Sequence, residues 1–358
     1  MHPLFIFSTL NFIMRRQNRK EEYHSLVEFE FNDFLDPKAL ISELIAKIGD
    51  LAKNKEFDTF AIGFSWPKIS EEELLELKKS VQYKLIAEIE SKYDKKVDFE
   101  AYGAYFLVDF NKKEVLLRLK SLFVKGNYCK FSRKIAQTTH FCRRCRGKGC
   151  NGCTNGLESE ESVEQLLALV FLPELAAMQL KFHGAGREDV DVLMLGKGRP
   201  FIVEILQPEI RSLDLEKLCE KVNKKFEGKI SINSLEIVPK SEVAIVKNNV
   251  HEKIYLAIVS CESMIEIKKL VLNKKINVSQ RTPERVEKRR ADLVREKWVT
   301  LLKTNPINEK EFELELKTAH GTYVKEFISG DNERSTPSIS SMLEVKCVCK
   351  QLDVLEIC

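Results

Sequence analysis

The stretch "CRRCRGKGCNGC" constrains this chain more than any other: Cys142, Cys145, Cys150 and Cys153 form two CxxC pairs separated by four residues. Each pair can close a tight turn that offers two thiolates to one ion. Four thiolates fill a tetrahedral zinc shell and leave no open position, so the spacing predicts a structural zinc. Free thiols or a redox pair are the alternatives. The other six of the ten cysteines are scattered, and a chain of 358 residues does not need a disulfide framework. Arg143, Arg144, Arg146 and Lys148 fall between the ligands. The knuckle would therefore present a basic surface suited to phosphate.

The knuckle also interrupts a regular pattern. Before it, "DPKALISELIAKIGDLAKNK" and "EEELLELKKSVQYKLIAEIESKY" have helical periodicity and "FDTFAIGFSWP" reads as a strand. "VDFEAYGAYFLVDF" reads as two strands, and "EVLLRLKSLFVKG" as a helix followed by a strand. After it, the helix "SVEQLLALVFLPELAAMQL" is followed mostly by strands, with helices expected at "LDLEKLCEKVNKKF" and "ERVEKRRADLVREKWV". Runs of strands with few helices argue an α+β fold around a mainly antiparallel sheet. Length suggests two or three domains. The expected division is a disordered leader over 1–22, an α/β accessory domain over 23–135, the cysteine module over 136–157 and a second domain over 158–358. The apolar run near the N-terminus is too short to span a bilayer, and the chain reads as cytoplasmic.

Net charge is only +4, from 58 basic and 54 acidic residues, which permits a polyanionic partner if the basic residues cluster. They do so in three places. Lys125, Lys130, Arg133 and Lys134 precede the knuckle, four more lie within it, and Arg281, Arg285, Lys288, Arg289, Arg290 and Arg295 share the expected helix near residue 285. Phosphate contact is expected of all three, against the plainer reading of solvated charge.

The segment "HGAGREDVDVLMLGKGRPFIVEI" poses a sharper question, because charges crowd the entrance to an apolar strand. A dinucleotide loop would need GxGxxG, which does not occur. A metal nuclease would use Asp191 and Glu204 with a lysine two residues after Glu204, but Leu206 stands there. The remaining reading is a carboxylate nucleophile: Arg187-Glu188-Asp189 places an aspartate after an arginine, where charge pairing keeps it ionised while it is partly desolvated. A surface salt bridge is the alternative. Asp191, two residues on, is expected on the opposite strand face and is read as structural.

Arg-x-Asp before an apolar strand resembles the motif of pseudouridine synthases. "EKIYLAIV", with Lys253, Tyr255 and Ala257, is similar to their Lys-x-Tyr-x-Ala strand, and "GTYVKEF" to the Gly-Thr-Tyr-Ile-Arg segment of one branch, with Lys325 at the basic position. The longer strings "RTPERVEKRRADLVR" and "GTYVKEFISGDNERSTPSISSML" look most like archaeal members of the Pus-ten family. Residues 120 to 358 carry the resemblance well. Before them, "FDTFAIGFSWP" and "LFVKGNYCKFSRKIAQT" resemble that family's THUMP-containing accessory domain.

The resemblance implies isomerisation of uridine to pseudouridine at positions 54 and 55 in the TΨC arm of tRNA, on a base flipped into a pocket. It implies Asp189 as nucleophile, Tyr255 stacking on the base, Lys325 holding Asp189 ionised and Arg187 on a phosphate or the flipped nucleotide. Leu343 would close the pocket, with Leu352 and Leu355 as rivals. Tyr323, Arg281, Arg285, Arg289 and Arg290, with Arg143, Arg144 and Arg146 of the knuckle, would contact tRNA. No organic cofactor is implied, zinc would be structural, and a monomer without membrane contact is expected. Two other classes stay open: a non-catalytic tRNA-binding protein, and another THUMP-bearing RNA-modifying enzyme such as a methyltransferase, for which no glycine-rich cofactor loop is present.

Overall fold

A computed structural model describes residues 25–29, 37–66, 68–142, 144–153, 156–157, 159 and 161–358, so the expected leader lies outside the described residues. They form two compact units. One holds the chain up to Val124 with Ala168–Lys181 and Val203–Leu218; the other holds Lys125–Leu167, Phe182–Ile202 and Cys219–Cys358.

The first unit carries a five-stranded sheet. Its strands are β1 (Ser25–Glu28), β2 (Thr59–Ser65), β3 (Lys96–Val97), β4 (Ala104–Asp109) and β5 (Glu114–Leu119), in the order β1-β5-β4-β2-β3. Helix α1 (Pro37–Ala52) buries Leu40, Leu44, Ile48 and Leu51, one face of a helical repeat, in a core with Phe60, Phe106, Val115 and Leu117. Truncating Leu40 or Leu44 to alanine would cost about 2–5 kcal/mol. Helix α2 (Glu71–Leu77) opens on a capping box. The Ser70 Oγ accepts the Glu73 N–H at 3.3 Å, and the Glu73 carboxylate accepts the Ser70 N–H at 3.0 Å. A single π-helical turn, Lys78–Gln82, joins it to α3 (Tyr83–Tyr93), so the expected long helix is present but locally widened. The helix expected at "EVLLRL" is instead strand β5. Its residues alternate strictly between half-buried and buried, a period of two that helical geometry does not satisfy.

Among the described residues two short parallel strands, β7 (Ile135–Ala136) and β8 (Glu161–Ser162), pair with each other, and the larger sheet has ten strands. The ten are β6 (Leu122–Lys130), β9 (Gln179–Gly184), β10 (Leu193–Leu206), β11 (Ile230–Ile237), β12 (Lys253–Cys261), β13 (Lys275–Arg281), β14 (Val294–Pro306), β15 (Glu311–Thr318), β16 (Ser335–Thr336) and β17 (Cys347–Ile357). Their order is β11-β6-β10-β17-β12-β15-β14-β13-β16, with β9 beside β10. Strand β12 runs antiparallel to both β15 and β17, and β10 runs parallel to β17. The α+β fold around a mainly antiparallel mixed sheet is therefore as the sequence predicts. The expected helix "ERVEKRRADLVREKWV" is not formed. A short 3-10 turn, Glu284–Arg289, follows Pro283, and the chain enters β14 at Val294, paired with Arg281 of β13. The run has no apolar helical stripe, whereas "WVTLL" alternates in burial and supplies a strand with a buried face.

Candidate active site

The Arg187–Val192 segment links β9 to β10, and its side chains part in different directions. Arg187 is exposed, Glu188 is buried and Asp189 is half-buried. The Glu188 carboxylate accepts the Tyr128 hydroxyl at 2.8 Å and lies 2.8 Å from the Arg199 Nε, whose N–H is not aligned on it, so that contact is one of charge. Both side chains of this pair are 1% exposed. Arg199 also donates to the Ala185 carbonyl at 2.8 Å, and Gln137 donates to the Tyr128 hydroxyl and the Gly186 carbonyl. This buried ion pair, with Tyr128 and Gln137 hydrogen-bonded around it, thus fixes the loop from behind. This network is absent from the sequence reading. Its one signal was an arginine placed directly before the apolar run "PFIVEI".

With Glu188 turned inward, Asp189 faces a cavity of about 420 Å³. The walls include Arg187, Tyr255, Arg285, Arg290, Tyr323 and Lys325, so the predicted residues from four distant segments meet there. The Asp189 carboxylate lies 3.4 Å from Lys325 Nζ and 3.6 Å from an Arg285 guanidinium nitrogen. Arg285 is held by the buried Glu326 at 2.6 Å. Burial would lower the Arg285 and Lys325 pKa values, but the Glu326 bond for Arg285 and the two aspartates for Lys325 outweigh it and raise both. Asp189 therefore faces two fixed cations.

Asp191 is not on an opposite strand face. The N–H of Val192 donates to the Asp189 carbonyl at 3.1 Å, closing a turn before β10 begins, and a turn has no two-residue alternation. Lys325 reaches Asp191 at 2.9 Å, closer than it reaches Asp189. Burial opposes ionisation of Asp191, and the Lys325 bond outweighs it and lowers its pKa.

Tyr255 comes from β12, whose Lys253, Tyr255 and Ala257 share one face by strand alternation. Across the sheet Tyr255 pairs with Val354 and Ala257 with Leu352, which also line the cavity. Burial pushes the Tyr255 hydroxyl up to about 12, with Glu188 and Asp189 adding to it against Arg199. Burial pulls Lys253 down to about 8, a shift that Arg199 assists and Glu188 opposes. Leu343 is buried in the short helix Ile339–Leu343 and is not among the cavity's lining residues. Leu355 is not among them either, whereas Leu352 is.

The basic clusters divide on inspection. Arg290 lines the cavity and donates to the Tyr323 hydroxyl at 2.9 Å. Arg281 is turned to Asp292 at 2.5 Å and does not line it. The Arg289 side chain and Arg143 lie outside what is described. Before the knuckle, the expected phosphate contact fails for the buried Lys130, whereas Lys134 is exposed. Lys125 is paired with Glu242 and Glu236, Arg133 with Asp353 at 2.7 Å, and Lys130 is fully buried. Arg144, Arg146 and Lys148 are exposed.

The four cysteines of the knuckle converge, with all four Sγ atoms within 4.8 Å of one another. The pairs Cys142–Cys150, Cys145–Cys153 and Cys150–Cys153 stand at 3.8, 3.7 and 3.6 Å. A zinc–sulfur bond of about 2.3 Å puts tetrahedral thiolates about 3.8 Å apart, so the set fits that ion. Amide N–H groups of Gly149 and Cys150 point at sulfur, as thiolates require. Gly156 backs the loop at φ +85°, where a Cβ would meet the Gly147 backbone at 2.5 Å.

The family model described as "Pus10, C-terminal" matches residues 123–358. A protein of Methanocaldococcus jannaschii named tRNA pseudouridine synthase Pus10 is 39% identical over 89% of this chain and 73% of its own length. Its namesake in Methanococcus voltae is 35% identical over 96% and 72%. That of Methanosphaera stadtmanae is 39% identical over 75% and 70%. With the family model covering most of the chain and these identities sustained over most of each relative, the chain belongs to the Pus10 family of tRNA pseudouridine synthases.

Proposed function

We propose that this protein isomerises uridine to pseudouridine in the TΨC arm of tRNA, at position 54, 55 or both, with Asp189 as the nucleophile on a flipped-out nucleotide. The observation that carries the reading is one half-buried carboxylate, ringed by cations, opposite a tyrosine in a cavity large enough for a base.

Isomerisation breaks the bond from C1′ to N1 and forms one from C1′ to C5, so nothing is added or removed and no redox cofactor is required. Asp189 attacks C1′ or takes a sugar proton. In either case it acts as a carboxylate, and Lys325 and Arg285 stand beside it. Tyr255 offers a flat face for stacking, and its hydroxyl keeps its proton well above neutral pH because burial holds it near 12. Arg187 and Arg290 at the cavity wall suit the phosphates flanking a flipped nucleotide. Cys142, Cys145, Cys150 and Cys153 would hold a structural zinc that keeps the module folded, and the exposed Arg144 and Arg146 between them would meet phosphate. The knuckle would then grip the backbone while the catalytic domain reads the arm's shape.

The test is to incubate the protein with an unmodified tRNA transcript and map pseudouridine by position. Conversion confined to the TΨC arm supports the reading. Conversion elsewhere, or stoichiometric binding without conversion, overturns it.

A further inference from the structure

Lys130 has an unusual environment for a lysine. It ends strand β6, its side chain is fully buried, and its ammonium donates to three backbone carbonyls: Ile135 at 2.8 Å, Asp189 at 3.2 Å and Val190 at 2.8 Å. An ammonium has three N–H donors, and all three are used. A buried charge is costly unless its hydrogen bonds are complete, so the arrangement needs a reason to exist. Two of the three acceptors belong to Asp189 and the residue after it.

The neighbouring chain repeats the pattern. Arg133 donates to the Asp191 carbonyl at 2.8 Å, and Gln137 to the Gly186 carbonyl at 2.9 Å. Three side chains within eight residues of sequence thus bind the backbone of 186–191 through its carbonyls. None of these contacts engages the Asp189 carboxylate, which stays free to face Lys325 and the cavity.

We propose that Lys130 is a positioning residue for Asp189: it holds the carbonyls of Asp189 and Val190 so that the carboxylate is presented at a fixed point in the cavity. The proposal rests on the reading of Asp189 as nucleophile. A lysine with no exposed surface does not touch tRNA, so its effect belongs in the rate and not in affinity. Burial lowers its pKa to about 8, a shift that Arg199 and Arg133 assist and the charges of Glu188 and Asp191 oppose.

The test is Lys130→Met, which preserves length and removes the donors. At saturating tRNA the single-turnover rate of pseudouridine formation should fall about 10- to 100-fold, while the tRNA dissociation constant stays within about twofold. Amide hydrogen exchange should accelerate at Ala185 and Val192, which flank the loop, and stay unchanged in β12 and β15. A wild-type rate, or a loss confined to tRNA affinity, overturns the proposal, as does unchanged exchange in the loop. If Lys130→Met does not fold, Lys130→Gln, which loses the charge and one of the three donors, should slow the single-turnover rate by a smaller factor at unchanged affinity, and a wild-type rate again overturns the proposal. Asp189→Asn in the same assay separates the two claims. If it stays active, the nucleophile reading fails, whereas the exchange data still judge whether Lys130 holds the loop.

Discussion

Lys325 Nζ lies 3.4 Å from the Asp189 carboxylate and 2.9 Å from that of Asp191, so one ammonium serves two carboxylates. Removing it leaves two anions in the same turn with Arg285 as the remaining contact to Asp189. Lys325→Met should therefore lower the single-turnover rate by about 100-fold or more, with tRNA affinity changed far less. An unchanged single-turnover rate would contradict this role for Lys325.

The Glu188–Arg199 pair is 1% exposed on both sides. Glu188→Gln leaves a buried guanidinium without its charge partner, at a cost of about 3–5 kcal/mol. Denaturant unfolding should read this as a lower midpoint at unchanged slope. The double variant Glu188→Gln/Arg199→Met should recover part of the loss. A Glu188→Gln protein as stable as wild type would contradict the assigned role of the pair.

Lys253 is lowered by burial from the usual 10.5 to about 8. Between these values the unfolded chain binds more protons than the folded one, so this group makes stability rise with pH across that window. Below about pH 8 its burial as an ammonium is a full penalty. Lys253→Met should then be more stable than wild type near neutral pH, with the gap closing as pH approaches 10.5. Parallel stability curves for the two proteins would refute the shift.

Metal analysis of protein purified without chelator should find about one zinc per chain, as four convergent thiolates fill its shell. Cys145→Ser should lower the thermal midpoint and the zinc content together. Iron, or no metal, would contradict the assignment.

The fold class was legible because the strands after the knuckle alternate in hydrophobicity, and the knuckle because thiolate spacing is a local constraint. "EVLLRL" was misread because leucine and glutamate favour helices, whereas its neighbours in the sheet demanded a strand. The charged run around Arg285 was misread for the converse reason: residues without an apolar stripe have nothing to hold them in a helix. Asp189, Tyr255 and Lys325, which meet at one cavity, stand in short motifs of the sequence. The partners of Lys130 and Glu188 are not legible there, since which lysine or glutamate is buried depends on contacts between segments far apart in sequence.

The central claim is that Asp189, and not its neighbour Asp191, carries the chemistry. The most direct test compares wild type, Asp189→Asn and Asp191→Asn in single-turnover pseudouridine mapping on one unmodified tRNA transcript, with binding measured in parallel. Asp189→Asn should bind tRNA as wild type does and form no pseudouridine, because an amide of nearly the same size is neither nucleophile nor base. Asp191→Asn should remain active at a reduced rate. Activity in Asp189→Asn together with its loss in Asp191→Asn would contradict the account.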